Sequence, residues 1–135
     1  VNTLFLFALF IKHAFCDLYL QFKKVPLNKL KYIGECHLHY FDHGLITFIV
    51  SYLFTFPLEQ CLLFASIDYI IHWHVDFVKT LIMKLFNIVN TSLVYWLFQT
   101  IDQVLHYSTY LLIVYIAFKG YSLQNIFEKF ISLFC

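Results

Sequence analysis

Four pairs of ionisable side chains stand four residues apart in an otherwise apolar chain: His13 and Asp17, His39 and His43, His72 and Asp76, Asp102 and His106. Four residues is close to one helical turn, so each pair lies on one helix face, one residue above the other. Imidazole and carboxylate at this spacing make a donor set for a divalent transition metal. With no thiolate pattern it suits Zn, Mn, Fe or Ni better than Ca or Mg. Zinc is the first expectation, as one ion or as two with bridging Asp. All eight residues are candidate ligands. Asp17, Asp76 and Asp102 are also candidate catalytic groups, one of them, or a metal-bound hydroxide, acting as base. A metal held this way acidifies water and polarises an ester or phosphoester. The bland rival is that each pair is a hydrogen-bonded His–Asp contact that helps helices associate. Four converging pairs favour the site.

The most polar single stretch is Asp68 to Lys79, where Asp68, His72, Asp76 and Lys79 share one helix face. A charge buried without a partner is costly, so this stripe needs partners from elsewhere in the chain. Asp68 lies one turn deeper than His72 and reads as a group behind the ligands or as a deeper ligand. Lys79 reads as a snorkelling interfacial lysine. His37, His74 and Asp42 read as peripheral, and Gln21 and Gln103 as hydrogen bonders in helix packing. Trp73, Trp96 and the ten Tyr fit lipid-facing and interface positions. The four cysteines form no C-x-x-C pair and read as small apolar residues or free thiols.

The elements that must position these residues are helices in a membrane. The 135 residues are 61% hydrophobic, 21% aromatic and 13% charged, against about 25% charged for a soluble domain. The mean hydropathy is +0.75. A net charge of +1 and the absence of Arg give nucleic acid no footprint. The expected fold is all-α: a membrane four-helix bundle over 1–120 followed by a short amphipathic, interfacial C-terminal helix over 121–135. Helix 1 is expected from Thr3 to Phe22, a retained span rather than a signal peptide, because no basic n-region or small-residue cleavage site is visible. Helix 2 runs from Cys36 or His37 to Phe56, helix 3 from Gln60 to Phe86 and helix 4 from Leu93 to Phe118. Pro26 and Gly34 break the chain between helices 1 and 2, and Pro57 marks the turn after helix 2. Lys23, Lys24, Lys29 and Lys31, with Lys79 and Lys84, place that side in the cytoplasm and both termini outside. At about 1.5 Å per residue, all four pairs then fall in the cytoplasmic half of the bilayer, a site built from facing side chains of a bundle.

The ordered pattern His13-x3-Asp17-x3-Gln21, His39-x3-His43, His72-x3-Asp76-x2-Lys79 and Asp102-Gln103-x2-His106 resembles the bacterial and phage DUF3307 family over about residues 5 to 115. That resemblance implies a small multi-pass membrane protein, in a bacterial inner membrane or the host membrane of a phage. It implies no activity, the family being of unknown function. At the level of the fold the chain is also similar to small His/Asp-rich membrane-bound metal-dependent hydrolases. Asp68, His74, Asp42 and His37 are ionisable residues beyond the matched pattern. The expected partners are membrane lipid and a divalent metal. Three functions are open to such a chain: an intramembrane metal-dependent hydrolase of a lipid or amphiphilic ester, a metal or proton transporter, and a non-enzymatic envelope protein with a structural His/Asp network.

Overall fold

Long apolar runs interrupted by few breakers give long helices, and the breakers set where they stop. The computed structural model describes residues 2–20, 29–119 and 131–132, and among them there is no strand. Helix α1 (Asn2–Ala14) runs on into a π-helical segment (Phe15–Leu20); α2 (His37–Leu53), α3 (Leu58–Leu85) and α4 (Leu93–Lys119) follow. The all-helical class is as expected. The expected end of helix 1 at Phe22, Gln21, the lysines at 23 and 24 and the Pro26 breaker lie outside the described residues. So does the amphipathic tail, apart from Ile131 and Ser132, which are helical.

Two boundaries differ from the sequence reading for local reasons. Helix α2 ends at Leu53 rather than Phe56. Thr55 adopts a left-handed φ of 63°, a conformation that ends a helix and that a β-branched residue rarely takes. Phe56 precedes Pro57, which disfavours helical backbone there. Pro57 itself is extended (φ −56°, ψ 147°) and α3 starts directly after it. With 17 residues, α2 is about 25 Å long. Among the described residues, three segments are long and apolar enough to cross a membrane: Thr3–Leu20, Leu58–Leu85 and Leu93–Lys119. The second difference is the π-helical segment, which holds Asp17. Single π turns inside α-helices recur at functional sites because they shift the side-chain register.

The bundle is inside-out relative to a soluble protein. His13, His39, His43, His72, Asp68 and Asp76 are buried, whereas Leu4, Phe7, Leu18, Leu45, Leu62 and Ile70 are exposed. Only an apolar surrounding medium makes that arrangement favourable. One end of the interior is apolar. Phe5, Leu9, Phe64, Tyr110 and Ile113 form its buried cluster, and Phe5 packs on Phe54 and Phe56 with ring centroids 5.2 and 4.9 Å apart. The other end is the polar layer.

Helices α2 and α3 form a hairpin, and Gly44 of α2 packs close against α3. A Cβ there would lie 3.1 Å from the Ala65 carbonyl oxygen and 3.3 Å from Tyr69 Cβ. Small residues at such crossings let helix backbones approach in lipid. Gly44→Val is therefore expected to destabilise the protein by about 1–3 kcal/mol, measured by reversible denaturation in detergent micelles. Gly34→Ala, where the added Cβ meets only Lys31 side-chain carbons at 3.5 and 3.6 Å, is expected to be near neutral.

Candidate metal centre

The centre is organised around two carboxylates. Asp17, on the π-helical segment, turns Oδ1 toward three imidazoles: His43 Nε2 at 3.0 Å, His39 Nε2 at 3.5 Å and His72 Nε2 at 3.8 Å. Its Oδ2 lies 3.3 Å from His13 Nε2. Asp76, on α3, lies on the other side of His72. Its Oδ2 is 3.7 Å from His72 Nε2 and 3.9 Å from His39 Nε2, and its Oδ1 is 3.9 Å from His106 Nε2. His106 Nε2 is in turn 3.5 Å from Asp102 Oδ1. The rings pack closely: His72 lies between His43 and His106, with centroids 3.7 and 3.9 Å away. All eight residues singled out from the sequence thus meet in one layer, contributed by α1 with its π segment, α2, α3 and α4.

They do not stand equally. Two sets of donor atoms are compact enough to surround an ion: Asp17, His39, His43 and His72, and His72, Asp76 and His106. His13 and Asp102 flank these sets. His13 is held by hydrogen bonds: its Nε2 faces Gln103 Oε1 at 3.3 Å, so Nε2 carries the hydrogen and Nδ1 accepts from the Tyr110 hydroxyl at 3.0 Å. Gln103 therefore touches the site. His43 is also fully engaged. Lys12 Nζ, which can only donate, faces its Nδ1 at 3.4 Å, so its Nε2 donates to Asp17 Oδ1. By contrast both ring nitrogens of His39, Nδ1 of His72, Nε2 of His106 and Oδ1 of Asp102 are buried without a hydrogen-bond partner among the described residues.

Three lysines complete the layer; the sequence reading gives Lys12 and Lys29 no place in it and makes Lys79 interfacial. Lys12, from α1, pairs with Asp68 and donates to the His43 carbonyl oxygen at 3.2 Å. Thr47 also donates to Asp68, at 2.5 Å. Asp68 is thus spoken for and joins neither donor set. Lys29, from the segment before α2, pairs with Asp76 Oδ2 at 2.5 Å. Lys79 is not a snorkelling interfacial residue. Its ammonium sits 2.8 Å from Asp102 Oδ2 and 3.4 Å from Asp76 Oδ1, with the side chain 15% exposed. Ammonium groups placed beside buried carboxylates supply the charge balance that an apolar medium demands.

The remaining expectations fall out as follows. His74 donates to the Ile70 carbonyl at 2.7 Å. His37 donates to the Tyr32 carbonyl at 2.9 Å and accepts from the Tyr69 hydroxyl at 2.5 Å. Both lie off the centre, as does Asp42. Trp96 is exposed, in keeping with a lipid-facing position. Tyr40 and Tyr110 are fully buried instead; Tyr110 is drawn inward by His13. Cys16, Cys36 and Cys61 are buried free thiols, and the Cys36 Sγ donates to the Lys31 carbonyl at 3.3 Å.

The model of the family described as "Protein of unknown function (DUF3307)" matches residues 5–134. The chain belongs to the DUF3307 family. No curated protein and no solved structure matches it. The function of this DUF3307 chain therefore has to be argued from the centre itself.

The donor set fits an ion. Ligand atoms about 2.0–2.1 Å from a tetrahedral metal lie about 3.3–3.4 Å from one another. The 3.0, 3.5 and 3.8 Å from Asp17 Oδ1 to its three imidazoles bracket that spacing. Independently of any ion, the Lys12–Asp68 pair should carry stability. Lys12→Met leaves Asp68 buried and unpaired, with an expected loss of about 3–5 kcal/mol in detergent-micelle denaturation. The double change Lys12→Met with Asp68→Leu is expected to recover most of it. A double variant no more stable than the single one would contradict the pairing.

Proposed function

We propose that this chain spans the membrane four times, with α2 and its flanks as the fourth span, and acts as a metal-dependent hydrolase of a lipid or amphiphilic ester or phosphoester. The observation that carries this reading is the group around Asp17: one carboxylate oxygen facing three imidazoles from two other helices at ligand spacing, inside a bundle with an apolar exterior. Transition metals of the zinc type take such nitrogen and oxygen donors. The lysines of residues 29 and 31, with Lys79 and Lys84, support an orientation with the polar layer toward the cytoplasm.

The two donor sets share His72, and a neutral imidazole nitrogen has one lone pair. We therefore assign a single ion, zinc before others, to Asp17, His39 and His72, with the fourth position left open for water as in catalytic sites. His39 joins it without losing a hydrogen bond to any described residue, since its Nε2 approaches Asp17 Oδ1 only at 3.5 Å. His43 stays on Asp17 as a hydrogen-bond donor, because binding through Nε2 would turn an Nδ1 hydrogen against Lys12 Nζ. A bound ion would supply an acidic water and polarise the scissile carbonyl or phosphoryl oxygen. Asp102, whose Oδ1 lies 3.5 Å from His106 Nε2, would serve as the proton acceptor in this reading. Lys79 holds that carboxylate through its other oxygen. Asp76 fixes His72 and His106 between them.

One observation favours a second reading. Asp68, Asp76 and Asp102 each already have a lysine partner, which suits a structural network that needs no metal. The two readings separate on metal content. Protein purified without added metal is expected to carry a transition metal, measured by plasma emission, and to release product from a lipid ester. His72→Ala is expected to lose both while keeping its helical circular dichroism. His39→Ala is expected to weaken metal binding more than His43→Ala. Folded protein free of metal would overturn the hydrolase and leave the structural network.

A further inference from the structure

A groove on the outer surface of the bundle reaches the polar layer. It occupies about 300 Å³ between α3 and α4, and its apolar walls include Val78, Ile82, Phe98, Ile101 and Leu105. Val78, Ile101 and Leu105 are each about half exposed, at 48, 45 and 46%. The same groove is lined by Lys79 and Asp102, so it ends on the centre. Lys79 reaches Asp76 Oδ1 at 3.4 Å and Asp102 reaches His106 at 3.5 Å. Asp102 is 4% exposed and its Oδ1 has no hydrogen-bond partner. A second and larger groove, about 440 Å³ between α2 and α3, is bounded by Phe41, Leu45, Phe48 and Leu62 and has no charged residue in its wall. Any acyl chain can lie in either. Of these two, the α3–α4 groove is the one that leads a chain to charged groups.

The charge balance says which head group follows the chain. Four carboxylates of the layer, Asp17, Asp68, Asp76 and Asp102, face the ammoniums of Lys12, Lys29 and Lys79. Among the described residues, with the imidazoles neutral, this leaves one negative charge. A divalent ion turns it into one positive charge, which a monoanion neutralises in a medium where uncompensated charge is expensive. A volume of about 300 Å³ is the small end of ligand pockets and suits one acyl chain rather than a whole lipid.

We propose that the α3–α4 groove takes one acyl chain of a phosphodiester lipid and brings its monoanionic phosphate to Lys79 beside the metal centre. This rests on the hydrolase reading and names its substrate class. The chain enters sideways from the bilayer between Val78 and Ile101. Lys79 swings its ammonium from Asp76 toward the phosphate while Asp102 stays on its other side. Lys79 thereby selects anionic over neutral head groups, and the groove selects a chain-bearing phosphate over a free one.

The test is native mass spectrometry of the detergent-purified, full-length protein. It is offered phosphatidylglycerol, diacylglycerol with the same chains, or inorganic phosphate. The metal content of each sample is measured alongside. Phosphatidylglycerol is expected to be retained about tenfold over diacylglycerol, a difference of about 1.4 kcal/mol, and inorganic phosphate not at all. Lys79→Gln is expected to remove the preference. Val78→Trp and, from the opposite wall, Ile101→Trp are expected to abolish retention with metal content unchanged; Leu45→Trp, in the other groove, is expected to have no effect. Equal retention of the two lipids in metal-loaded protein overturns the proposal, as does retention that Leu45→Trp abolishes and the groove variants do not. Selective retention in protein that carries no metal overturns the hydrolase reading and leaves the groove.

Discussion

Four aspartates sit inside a bundle whose outer surface is apolar, and a carboxylate in such surroundings must be matched by a cation, a hydrogen-bond donor or both. That requirement fixes the depth and rotation of every helix. Asp68 is matched by Lys12 across α1 and α3. Asp76 and Asp102 are matched by Lys79, which bridges α3 to α4, and Asp76 also by Lys29 from the segment before α2. Asp17 is matched by imidazoles of α1, α2 and α3. Rotating any one helix by a residue would turn its polar stripe to lipid and leave the partners of the other three unmatched. Apolar packing at Phe5, Leu9, Phe64 and Ile113 holds the other end of the bundle, but it carries no comparable directional demand.

The same constraint produces the chemistry. Lysine satisfies a buried carboxylate and leaves little else to do. Imidazole satisfies it and retains a second nitrogen and a lone pair. Where the cations are lysines, each ammonium is committed to a carboxylate. Where they are histidines, around Asp17 and His72, ring nitrogens remain without hydrogen-bond partners at the spacing of metal ligands. The proposed ion sits on that histidine side. The lysine side faces the groove and sets the charge that an incoming head group would meet.

Much of this was legible in the sequence because helices convert spacing into position. Three His–Asp pairs and one His–His pair, each four residues apart, identified eight side chains that meet in one layer. The same rule would have reached further. His39, His43, Thr47 and Ser51 form one four-residue series and are all fully buried; His106 and Tyr110 form another. Thr47 and Tyr110 were thus within reach as partners of Asp68 and His13. Lys12 was harder, since a lone lysine in an apolar helix reads equally as snorkelling, and only the position of Asp68 on α3 decides it. Lys29 and the π-helical segment carried no signal. The first depends on a non-helical segment folding back over the site, and the second is a local register shift without a sequence signature. The ranking within the eight was also invisible: His13 is turned away by Gln103 and Tyr110, which depends on helix rotation rather than on spacing.

The most direct test of the account is X-ray absorption at the edge of the metal that co-purifies with the protein. The account predicts a four-coordinate shell of nitrogen and oxygen at about 2.0–2.1 Å with multiple scattering from imidazole rings, diminished in His39→Ala. A sulfur shell at about 2.3 Å, or an oxygen-only shell without imidazole scattering, would contradict it.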